Sequence, residues 1–132
     1  MESDLIKIYD LKMDKERVRQ IQKATLETTE FGLVPDPALF GSDEWWGAIK
    51  LGRIPVQTVK GVISRVFMSG HNDFPEFEID DGKEKTQWER RGIEEAYTVG
   101  RSVLLKYVIQ KFKKSIPSLK VSKSVLEIWV AT

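Results

Sequence analysis

From Pro55 to the carboxy-terminal residues, side chains alternate with a period of two, and no other feature constrains the fold as strongly. Val59, Gly61, Ile63 and Phe67 alternate with Lys60, Val62, Ser64 and Val66 along one long strand, with Gly61 the place for a bend or bulge. On a second strand Phe77 and Ile79 take one face, and Glu76, Glu78 and Asp80 the other. Asp80-Asp81-Gly82-Lys83 closes a tight hairpin, and a third strand carrying Trp88 returns from it. In the fourth, Val103, Leu105, Tyr107 and Ile109 make one apolar face and Leu104, Val108 and Phe112 the other, until Pro117 breaks the run. The last sets Leu126, Ile128 and Val130 against Val125, Glu127 and Trp129. Five strands with hairpin-length turns predict an α+β, mainly β fold: a small five-stranded antiparallel barrel, OB- or SH3-like.

The first 54 residues read differently. Leu5 to Lys12 alternates loosely, as a short strand or an extended arm. Asp14 is placed to cap a helix running to about Glu30, with a narrow buried stripe of Val18, Ile21, Ala24, Thr25 and Thr28. Pro35 and Pro37 deny regular helix to a connector whose Phe31, Leu33, Val34, Leu39 and Phe40 are too apolar to be left in water. Ser42 or Asp43 caps a second, shorter helix, and Gly52 is the left-handed residue that stops it. That helix carries adjacent indoles, Trp45 and Trp46, which point about 100° apart, so one buried face takes only one of them. Trp45 shares its face with Ala48 and Ile49 and belongs in a core; Trp46 is left partly exposed at a seam. The 132 residues read as a single domain, with a helical part (1–54) packed on a barrel (55–132).

Chemistry is conspicuously thin. The chain has no cysteine and one histidine, His71, so it offers neither thiol chemistry nor a Ser–His or Cys–His set. His71 sits in the turn sequence SGHND beside Asp73, with no serine at a motif spacing. The acidic run from Asp73 to Asp81 does not follow the ligand order of a calcium loop, and it reads as the outward face of an edge hairpin. None of the nine glycines falls in a dinucleotide or phosphate-loop spacing. No catalytic residue, metal or cofactor is therefore expected. An enzyme working with carboxylates, His71, Tyr97 or Tyr107 is the third reading. No apolar run approaches the roughly 18 residues of a membrane span, and the first residues lack the pattern of a secretory signal. A cytoplasmic protein with no membrane partner is expected.

Net charge is +1, unevenly spread. Residues 71–96 hold four basic and nine acidic side chains, and residues 97–132 hold seven basic and one acidic. Opposed patches, aromatics in polar settings and the missing catalytic set point to a non-catalytic binding module of the interaction, adaptor or immunity type. Its partner is another protein or its own copy. Trp46 and Trp88 are the candidate anchors, and Glu76, Glu78 and Asp80 would steer a basic partner. The alternative is a single-stranded nucleic-acid binder on an OB-like barrel. There Phe112 and Trp129 would stack bases, and Lys111, Lys113 and Lys114 would face phosphates. A pI near 7.9 falls short of a dedicated binder's.

Overall fold

Every alternating segment forms a strand, and the amino-terminal segment joins them. The computed structural model describes residues 4–28, 32–35, 37–68, 74–116 and 119–132, with backbone alone at 113–116 and 119–120. Its strands are β1 (Leu5–Asp10), β2 (Gln57–Met68), β3 (Pro75–Asp80), β4 (Lys85–Glu89), β5 (Ser102–Ile116) and β6 (Leu119–Ala131). Its helices are α1 (Lys15–Glu27) and α2 (Asp43–Lys50). The six strands make one antiparallel sheet in the order β1-β6-β5-β2-β3-β4.

That order corrects the expected five-stranded, OB- or SH3-like barrel: the sheet is open, with β1 and β4 at its ends. The sixth strand is the loosely alternating amino-terminal segment. It pairs with β6 from Leu5↔Ala131 to Asp10↔Glu127, a contact between the two ends of the chain that local periodicity does not encode. The β2–β3 pairing is irregular at Ser64, where the register shifts between Ile63 and Arg65. Beyond that extra residue the faces exchange, so Val66 rather than Phe67 opposes the fully buried Phe77. Gly61 serves close approach: a Cβ there would lie 2.2 Å from the Asp80 carbonyl oxygen. In β5 the buried phase also shifts, from Val103 and Leu105 to Val108 and Gln110, which leaves Ile109 exposed.

The chain forms two compact units. The first comprises Met1–Asp10, Thr58–Lys106 and Glu127–Thr132. It buries Ile8, Ile63, Phe77, Ile79, Leu105 and Ile128. Tyr97 sets its ring against Phe77 at 4.7 Å. Its hydroxyl donates to the Arg91 carbonyl at 2.6 Å and accepts from the Arg91 N–H at 3.0 Å. Burial pushes this phenol up to about 12.

The second unit comprises Leu11–Gln57 and Tyr107–Leu126. α1 starts at Asp14, whose carboxylate accepts from Arg17 N at 3.3 Å. It stops at Glu27 rather than near Glu30, because Thr28 turns extended and its hydroxyl donates back to the Ala24 carbonyl at 2.7 Å. Only Thr25 of this helix is buried, and its hydroxyl accepts from Leu33 N at 3.1 Å, which ties the connector down. α2 starts at Ser42, whose hydroxyl accepts from Trp45 N at 3.1 Å. It ends where Gly52, at φ +79, donates to the Ile49 carbonyl. Between these caps Trp45 is wholly buried, 4.7 Å from the Phe40 ring, with its indole N–H on Gln110 Oε1 at 3.2 Å.

Candidate protein-binding surface

The hairpin turn fixes what the outward face of β2–β3–β4 presents. Asp81 Oδ1 accepts from the backbone N–H groups of Lys83 and Glu84 at 2.8 and 2.9 Å. These bonds hold its carboxyl below the usual value. Register then follows: Asp80↔Lys85, Glu78↔Gln87 and Glu76↔Glu89 share one face, and Ile79↔Thr86 and Phe77↔Trp88 share the other. β2 adds Val62 beside Asp80, Arg65 beside Glu78 and Phe67 beside Glu76.

Three rows result, and they differ in charge balance. Asp80 faces Lys85, and Glu78 lies between Arg65 and Gln87 while accepting from the Ser64 hydroxyl at 2.9 Å. The third row sets Glu76 between Phe67 and Glu89, with two carboxylates directly opposed. Glu89 is held by Arg91. Arg65 lies over the Phe67 ring, 4.2 Å from its centroid. Among the described residues no ion pair reaches Glu76. At the turn end of the face an open groove of about 390 Å³ is lined by Gly61, Val62, Ser64, Asp80, Asp81 and Gly82.

The structure thus brings Glu76, Glu78 and Asp80 together and sets Trp88 on the opposite face. Trp88 is 7% exposed, and its indole N–H donates to Thr86 Oγ1 at 2.8 Å. Its polar neighbours Gln87 and Glu89 are the alternate residues of the same strand, so Trp88 is core. Trp46 belongs to the second unit. It is half-buried, edge-on to Trp45 at 4.8 Å, with Lys12 Nζ 5.0 Å from its ring centroid. Among the described residues no group of three or more metal-binding side chains is placed to hold an ion, and no helix is long and apolar enough to cross a membrane.

The sequence model of the family described as Immunity protein RhsI2 matches residues 5–131. The chain belongs to the RhsI2 immunity-protein family. No curated protein matches it. Membership makes it an immunity-type module that binds a protein partner.

The residues set out for nucleic acid divide in this RhsI2-family chain. Lys111 is exposed and Phe112 half-buried, the latter bridged to Leu33 in the second unit. Trp129 lies in the first unit, its indole N–H on Glu127 Oε1 at 3.0 Å and Lys7 Nζ 5.4 Å from its ring. A carboxylate bound to that indole opposes an incoming phosphate. The side chains of Lys113 and Lys114, and the residues Pro117, His71 and Asp73, lie outside the described residues. Glu89, Arg65 and Phe67 belong to this face in addition to the sequence candidates. Counting back from the hairpin turn would have paired Glu89 with Glu76, whereas the Ser64 bulge that brings Arg65 and Phe67 to this face leaves no local signal.

Proposed function

We propose that this protein neutralises a toxin polypeptide by binding it directly in the cytoplasm, with no chemistry of its own. The observation that carries the reading is the immunity-family match across residues 5–131. The carboxylate rows of β3 support a basic partner, because opposed carboxylates speed the encounter of a positively charged surface and fix its orientation. Trp46 supports a desolvated anchor: a large ring, half-buried, seated on the rigid Trp45. The two features belong to different compact units, and each is tested separately.

The experiment expresses candidate toxin polypeptides, each in cells that it kills, together with the chain or its variants. The wild-type chain restores growth. Glu76→Lys and Trp46→Ala each weaken protection while the purified variants melt near the wild-type temperature. Protection undiminished by both substitutions removes these surfaces from the account, and no protection by the wild-type chain removes the reading itself.

A further inference from the structure

The two ends of the sheet are treated differently. At β1 the outer edge is closed: the register shifts between Lys7 and Tyr9, and Ile93 N donates to the Ile8 carbonyl at 3.2 Å. Gly92, at φ +75, is required for that contact, since a Cβ there would lie 1.9 Å from the same oxygen. Bulges and covering segments, along with short length and exposed charge, are how proteins keep edge strands from pairing. Among the described residues β4 has neither a bulge nor a covering segment, although it is five residues long and exposes Lys85 and Glu89. It ends the sheet order, contains no proline, and keeps an unbroken register with β3 from Glu76↔Glu89 to Asp80↔Lys85.

The direction of its backbone groups follows from the hydrogen bonds at its two ends. Asp81 N donates to the Glu84 carbonyl at 3.2 Å, and Arg90 N donates to the Pro75 carbonyl at 3.0 Å. Antiparallel pairing alternates between these points, so Thr86 and Trp88 bond towards β3. The backbone groups of Lys85, Gln87 and Glu89 point away from it, along the edge. All three residues are exposed.

From this we infer that β4 pairs antiparallel with β4 of a second copy of the chain, about a two-fold axis at Gln87. The sequence Lys85-Thr86-Gln87-Trp88-Glu89 is complementary to itself in that register. Gln87 meets Gln87 of the second copy, and Lys85 meets Glu89 of the second copy at both ends. The three outward residues are the ones that such a pairing aligns as hydrogen-bonded pairs, which gives roughly six inter-chain backbone bonds. Each incoming lysine also arrives beside the opposed Glu76 and Glu89, the one row of this face whose strand partners supply no cation. The two charges on this edge are of opposite sign and symmetrically placed about Gln87, so in the paired register they attract rather than repel.

Sedimentation equilibrium of the full chain, from micromolar to near-millimolar concentration, tests the pairing. A short strand interface predicts a concentration-dependent monomer–dimer equilibrium for the wild-type chain. Lys85→Glu sets like charges opposite each other at both ends and raises the dimer dissociation constant roughly tenfold or more. Adding Glu89→Lys to Lys85→Glu restores dimerisation, and Gln87→Pro, which removes an edge donor, abolishes it. Circular dichroism confirms that each variant is folded. The inference is overturned by a wild-type chain that stays monomeric throughout, by a Lys85→Glu chain that dimerises as well as wild type, or by a double variant that is not restored. A monomeric wild type whose folded Gln87→Pro variant no longer binds the toxin gives this edge to the toxin, and overturns the pairing of copies.

Discussion

Replacing Tyr97 by phenylalanine removes one oxygen and keeps the ring that sits 4.7 Å from Phe77. The lost hydroxyl serves both backbone groups of Arg91, donating at 2.6 Å and accepting at 3.0 Å. Two such bonds are worth about 1 kcal/mol each, and their part-buried partners are left unpaired, so the loss is about 1.5–3 kcal/mol at neutral pH. Urea unfolding followed by circular dichroism measures it. The pH dependence supplies an independent check. The folded phenol is raised from 10.0 to about 12, so the folded state favours the neutral form. Its stabilisation is complete below the unfolded value and is lost as pH rises through the folded one, at about 1.4 kcal/mol per pH unit. The Phe variant lacks this slope. The stability gap between the two proteins therefore shrinks as pH rises through the alkaline window and closes near the upper value. A loss below about 0.5 kcal/mol at neutral pH, or a gap that stays constant on the alkaline side, refutes the reasoning.

Two further substitutions test the hairpin. Gly61→Ala places a Cβ 2.2 Å from the Asp80 carbonyl oxygen, a backbone atom that moves only by parting β2 from β3; thermal melts should show a loss above about 2 kcal/mol. Gly47→Ala, on a helix with nothing within 4 Å of the new carbon, is the control and should stabilise by up to about 1 kcal/mol. Asp81 is held below its usual 3.8 by two backbone donors, so its contribution is complete above that value and is lost as pH falls through the lowered one. Melts of wild type and Asp81→Ala should differ at neutral pH and converge in acid.

The parts of this fold that obey local rules were legible. Ser42 and Asp14 cap their helices because each places an oxygen over a free N–H three residues on. Trp45 and Trp46 separate into buried and half-buried because adjacent helical residues diverge by about 100°. The turn sequence announced the β3–β4 hairpin and with it the carboxylate face. What could not be read is non-local. β1 completes the sheet by pairing with the far end of the chain, and the extra residue at Ser64 exchanges the faces of Val66 and Phe67 without a proline or glycine to mark it. Trp88 misled because its charged and polar neighbours suggested a surface, although a strand alternates and those neighbours point the other way. The shift of phase in β5 after Leu105 had the same effect on Tyr107 and Ile109.

The most direct test of the central claim is a calorimetric titration of the purified toxin polypeptide into this chain, at low and at high salt, with the wild type and with Glu76→Lys. The wild type should bind saturably and more weakly as salt rises, and the variant should bind more weakly with a flatter salt dependence. Absence of binding by the folded wild-type chain at low salt, where a carboxylate surface attracts most strongly, would contradict the claim.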